Sequence, residues 1–222
     1  MCFSASASFT SGIVISAIGV AAFRKAETRR EKFFAFMPVF FALQQFAEGC
    51  VWLALGNSSY DFLLFPASRY FIVMADVAWP VFVPLSILLL EESEQRRKSL
   101  KILLGAGILL GSYYMFCILT RTINPVTNSF HIDYKNDFPA AMVMPAFIVY
   151  LVVTIAPLFI STVKRMHVFG IIIFVACFVS GIFYTQYLTS VWCFFAALAS
   201  MSIYWILAGS SKKVEDSVAV AG

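Results

Sequence analysis

Long apolar runs separated by short polar breaks, many of them charged, dominate the chain. A helix needs about 20 consecutive apolar residues to cross the ~30 Å hydrocarbon core of a bilayer. Such windows fall near residues 5–23, 33–56, 67–90, 101–120, 140–163, 168–187 and 189–209, and they predict seven transmembrane helices. Only a polar break around Thr185, Gln186, Thr189 and Ser190 separates the last two, so six spans is the competing count. The expected fold is all-α: a polytopic membrane helical bundle forming one domain over residues 1–209, with a short cytoplasmic tail at 210–222.

The polar positions inside these runs carry the chemistry. The second span contains QQFAEGCVW, in which Gln44, Glu48 and Trp52 recur every four residues, with Gln45 one position round, so they share a helical stripe. A carboxylate near mid-membrane costs at least ~2.5 to 3.5 kcal/mol, which turns Glu48 toward the bundle interior or a wet cavity. The third span contains MADVAWPVFVP, with Asp76 three residues before Trp79 and four before Pro80. At ~1.5 Å per residue, Glu48 lies roughly 12 Å and Asp76 roughly 13 to 14 Å below the outer ends of their spans. The two antiparallel spans share a short connection, so both carboxylates are expected at one site. Pro80 offers no N–H to the carbonyl of Asp76, and Pro84 offers none to that of Pro80. The resulting kink exposes carbonyls that suit a cation or a proton-bearing ligand. The competing reading is structural: glutamines join helices, prolines kink them for packing, and a Glu–Asp pair can share a proton as a latch.

Composition settles the class. The chain has 222 residues, 61% hydrophobic and 13% charged, with a mean hydropathy of +0.86. A soluble domain carries about 25% charged residues, so these values imply an integral membrane protein whose surroundings are the lipid bilayer. Of the 16 Lys and Arg residues, 13 lie at 24–32, 91–101, 164–165 and 212–213, which alternate spans place on one side; Arg69, Arg121 and Lys135 fall on the other. Cytoplasmic loops collect basic residues, so the N-terminus is expected outside and the C-terminus inside, which needs an odd number of spans and favours seven. The segment RTINPVTNSFHIDYKNDFP is then the longest external connection. Topology accounts for the net charge of +4 without nucleic acid. The opening MCFSASASFT has no basic stretch before its apolar run, so no cleaved signal is expected.

Other candidates are weaker. The five cysteines show no metal-binding spacing. Cys2, if Met1 is removed, would present an amine and a thiol together, and His131 in the external segment could add a ligand or proton acceptor; against this, Cys2 can simply pack and a lone loop histidine is ordinarily solvated. Trp79, Trp192, Trp205, Tyr184, Tyr187 and Tyr204 read as interfacial belt or core.

Three stretches, MCFSASASF, QQFAEGCVWLALG and WPVFVPLSILLLE, resemble an uncharacterised family of bacterial multi-pass membrane proteins. Its members open with Met-Cys-Phe-Ser-Ala and contain a Gln-Gln-x-x-Glu-Gly-x-x-Trp segment. The resemblance covers roughly the first ninety residues and here falls on Cys2, Phe3, Ser4, Gln44, Gln45, Glu48, Gly49, Trp52, Trp79, Pro80, Pro84 and Glu91. It implies a bacterial inner membrane and assigns no reaction.

Three functions remain. The first is binding or transport of a cation, proton or small polar ligand at an outward-accessible acidic site between spans two and three, formed by Glu48, Asp76, Gln44, Gln45, Trp52 and Trp79; a bound cation is the cofactor this would imply. The second is an intramembrane hydrolase using the carboxylates with Cys2 or His131. The chain contains no HExxH, GxSxG or paired-histidine motif, which weighs against an enzyme. The third is a sensor or assembly subunit with protein partners that the sequence does not identify. The last span lacks a lysine for a retinal Schiff base.

Overall fold

The computed structural model describes residues 4–128, 131–183 and 188–208. Helix α1, Ala5–Lys25, is capped by Ser4, whose hydroxyl accepts the Ala7 N–H. Helix α2, Arg29–Ala35, starts on a capping box: Thr28 Oγ1 accepts the Glu31 N–H, and the Glu31 carboxylate accepts the Thr28 N–H. That box draws charged residues into the helix, so the span begins ahead of its apolar window. At Phe36 the chain breaks before α3, Met37–Gly56, because Pro38 cannot donate to the carbonyl of Phe34.

The third long helix has a 3₁₀ turn at Ser58–Tyr60, then α4, Asp61–Ile72, a π-helical segment, Val73–Ala78, and α5, Trp79–Leu90. Helix α6 covers Glu94–Thr120, α7 Ala140–Ile160, α8 Lys164–Phe183 and α9 Leu188–Ala199. Helical structure continues beyond α9, giving an apolar stretch over Ser190–Ala208. Counting α2 with α3, and α4, the π segment and α5 together, the described residues form seven helices long and apolar enough to span a membrane. This is the architecture of a multi-pass membrane protein.

Helix α3 is central, packing on α1, α4 and α9. Along the α1–α3 seam, aromatic and branched side chains fill hollows left by glycines: Phe46 faces Gly12, Val39 faces Gly19 and Phe9 faces Gly49, where a Cβ would approach to 2.8–2.9 Å. Helix α6 uses the same device against backbone. Gly107 and Gly111, a G-x-x-x-G pair, face the carbonyls of Pro80 and Val77, and a Cβ on Gly107 would overlap the Pro80 oxygen. Pro84 removes that oxygen's intrahelical partner, and the glycine lets α6 close over it.

At the basic end, Glu91 is buried and accepts the backbone N–H groups of Glu92, Ser93 and Thr162, tying the α5–α6 loop to the α7–α8 loop. Arg96 donates to the Ile160 carbonyl and Arg165 to that of Trp205. The opposite end holds a feature absent from the all-α expectation. Strands β1, Ile123–Asn128, and β2, His131–Asn136, pair antiparallel in the register Ile123 with Asn136 through Asn128 with His131. Ile132 and Tyr134 point inward from β2 at strand spacing, and Tyr134 stacks on Phe71 with centroids 4.7 Å apart. The hairpin thereby covers the ends of α3, α4 and α6 with a second apolar cluster.

Candidate functional site

The polar stripe of α3 divides among three neighbouring helices. Gln44, Gln45 and Glu48 are fully buried. Gln44 Oε1 accepts the Trp79 Nε1–H of α5 at 3.0 Å, Gln45 Oε1 accepts the Ser11 hydroxyl of α1 at 3.1 Å, and Glu48 Oε1 accepts the Ser190 hydroxyl of α9 at 2.5 Å. Trp79 is clamped face to face on Phe41, with centroids 3.9 Å apart, which fixes its indole for the bond to Gln44. Trp52 continues the stripe toward the hairpin cluster, where among the described residues its buried indole N–H has no hydrogen-bond partner.

Asp76 occupies a different setting. It lies in the π segment, half-buried, in the wall of a cavity of about 350 Å³ between that segment, α6, α7 and the base of the hairpin. Tyr113 and Tyr114 of α6, Phe138 of the connection after β2, Phe147 and Tyr150 of α7, and Trp192 of α9 supply its aromatic walls, and Asn136 adds a carboxamide. Glu48, Gln44 and Gln45 do not line it. Met142 and Met144 also line the cavity, and both are exposed.

The π segment explains this arrangement. In a π turn each N–H reaches back five residues, and here the Trp79 N–H bonds the carbonyl of Met74. The next position is Pro80, which has no N–H to give, and the same five-residue reach from Pro80 falls on the carbonyl of Ala75. Tyr150 Oη donates to it at 2.7 Å. Helix α7 is thus fastened to the bulge beside Asp76, and Tyr150 packs edge-on against Trp192 at 5.3 Å.

The remaining candidates are dispersed. His131 is on β2, partly buried, and burial lowers its imidazole below the ordinary value. Cys2 lies outside the described residues, as do Tyr184, Tyr187 and the 210–222 tail. Among the described residues no three His, Cys, Asp or Glu side chains converge as a metal cluster. The sequence reading passed over Ser11, Ser190, Tyr113, Tyr114 and Tyr150. The available signal was aromatic residues with polar tips inside apolar runs, above all the adjacent Tyr113 and Tyr114.

Comparison with curated proteins and with solved structures finds no match. The sequence model of a family of unknown function, DUF6629, matches residues 1–218, well beyond the first ninety residues of the initial resemblance, and the chain belongs to that family.

Proposed function

We propose that the protein is a single-domain, multi-pass protein of a bacterial inner membrane, with its N-terminus outside, that binds or transports a small cation or protonated polar ligand. The observation that carries this reading is Asp76, a half-buried carboxylate on an irregular turn beside a cavity of about 350 Å³ at the hairpin end. Ligand pockets are mostly apolar with a few placed polar groups and have volumes of this order. Irregular backbone at membrane depth is tolerated where it borders a cavity. The basic clusters at the other end support placing the cavity on the outer side.

In this reading Asp76 meets the ligand, while Glu48, Gln44, Gln45 and Trp79 hold α1, α5 and α9 around α3. Trp52 belongs to the contact between α3 and the hairpin. The experiment is thermal unfolding of purified protein across pH and a panel of cations, for wild type, Asp76→Asn and Glu48→Gln, followed by flux into proteoliposomes. A stabilising shift lost only in Asp76→Asn supports the assignment; no shift in any condition removes it. Impermeant thiol labelling of Asn136→Cys in a background lacking the native cysteines tests the orientation, and labelling only from the cytoplasmic side overturns it.

A further inference from the structure

We infer that the ligand of the Asp76 cavity is an organic ammonium ion, an inference that rests on the reading of this cavity as a binding site. The lining decides between classes of cation. A hard metal ion of the calcium type takes six to eight oxygen ligands, several of them carboxylate, and magnesium demands an octahedron of oxygens. Among the described residues the cavity wall supplies one carboxylate, Asp76, with phenols and a single carboxamide. Much of the remaining wall is the rings of Tyr113, Tyr114, Phe138, Phe147, Tyr150 and Trp192, with the aliphatic side chains of Met142, Val143 and Met144 beside them. Aromatic faces around one negative charge match an alkylated ammonium, whose charge is spread over a weakly hydrated surface that ring quadrupoles attract. Such an ion gives up little hydration on entering, whereas a small inorganic cation would lose its water shell to rings that cannot coordinate it in return.

A second observation points to an occupant. Trp192 is 8% exposed, and among the described residues its buried indole N–H has no hydrogen-bond partner. It belongs to the same wall as Asp76. A buried donor left unmade is costly, and once the indole turns toward the cavity a ligand carrying a hydroxyl or carbonyl beside its ammonium group would satisfy it. The inferred class is therefore an ammonium compound with an adjacent hydrogen-bond acceptor, small enough for about 350 Å³.

The test is thermal unfolding of the full-length protein in detergent with choline, tetraethylammonium, sodium, potassium, magnesium and calcium chlorides at matched ionic strength, and with 3,3-dimethylbutanol as a neutral analogue of choline. The expected result is a saturable rise in Tm with choline, smaller with tetraethylammonium and absent with the neutral analogue. Asp76→Asn should abolish the rise, Tyr114→Leu should weaken apparent affinity at least tenfold, and Trp192→Phe should reduce the preference for choline over tetraethylammonium. Trp192→Phe keeps a ring in place, so the test survives if Asp76→Asn does not fold. An Asp76-dependent shift with an inorganic cation and none with the ammonium ions overturns the inference while leaving the cation-site reading intact. Equal shifts from choline and its neutral analogue overturn charge recognition, and no shift with any probe overturns both readings.

Discussion

The two intramembrane carboxylates sit in opposite surroundings. Glu48 is fully enclosed and bonded to Ser190, in a stripe whose members each reach a different helix. Asp76 is half-buried against open volume and lined by rings. A buried polar group that meets protein on every side spends its hydrogen bonds on architecture, whereas one beside a cavity keeps capacity for something that comes and goes. This contrast underlies the proposed division, with cohesion at Glu48 and recognition at Asp76.

The largest effect that could break this contrast is at Glu48. Glu48→Ala leaves the Ser190 hydroxyl unbonded and opens a void, so a loss of about 3 kcal/mol is expected in denaturant titration in mixed micelles. A variant as stable as wild type would remove Glu48 from the cohesive role. At Asp76 the expected change is in linkage: Asp76→Asn should shift unliganded stability by under ~0.5 kcal/mol yet erase the roughly 2.7 kcal/mol that ligand at 100 times Kd confers on wild type. Calorimetry with and without ligand separates the two quantities. Gln44→Leu should cost about 2 kcal/mol by stranding the Trp79 indole N–H, and Trp79 fluorescence in a single-tryptophan background should report its loosening.

Smaller effects sharpen the boundary between the regions. Tyr150→Phe removes the donor to the Ala75 carbonyl and should cost about 1 kcal/mol. It should also weaken ligand binding, since the bulge carries Asp76; an unchanged affinity would show that the bulge holds its shape without α7. The smallest is at His131, whose folded pKa burial lowers. A lowered histidine contributes stability that is complete above its unfolded value of about 6.5 and is lost as pH falls toward the folded value. Wild type should therefore lose a few tenths of a kcal/mol more than His131→Asn between pH 7.5 and 5.5, with the Asp76 cavity affinity compared in parallel.

Hydropathy was sufficient for the helix count because the cost of exposing backbone to lipid leaves long apolar helices as the natural reading of such a chain. The polar stripe at Gln44, Gln45 and Glu48 was legible for the same reason: three such residues stand out in an apolar run. Two features were hidden. The hairpin packs only Ile132 and Tyr134 inward from β2, too short an alternation to register beside two long spans. The direction of Asp76 depends on how the helix winds between Val73 and Ala78, and a count at 3.6 residues per turn does not foresee the five-residue reach found there. G-x-x-x-G at Gly107 and Gly111 was open to reading, but only contact with the Pro80 carbonyl reveals which helix it admits.

The π segment also has a phase consequence. An α-helix advances about 100° per residue, so a single added residue turns everything beyond it by that angle relative to an uninterrupted helix. Deleting one residue between Val73 and Ala78 would leave α4 in place and rotate α5 as a unit. Trp79 would swing away from Gln44, and the Pro80 carbonyl would turn from the groove of Gly107, so two seams would lose register through one deletion. The extra residue works as an angular offset between the half of the helix that faces the hairpin and the half that faces the basic end. It lets one continuous helix satisfy two sets of neighbours that a uniform winding could not serve together.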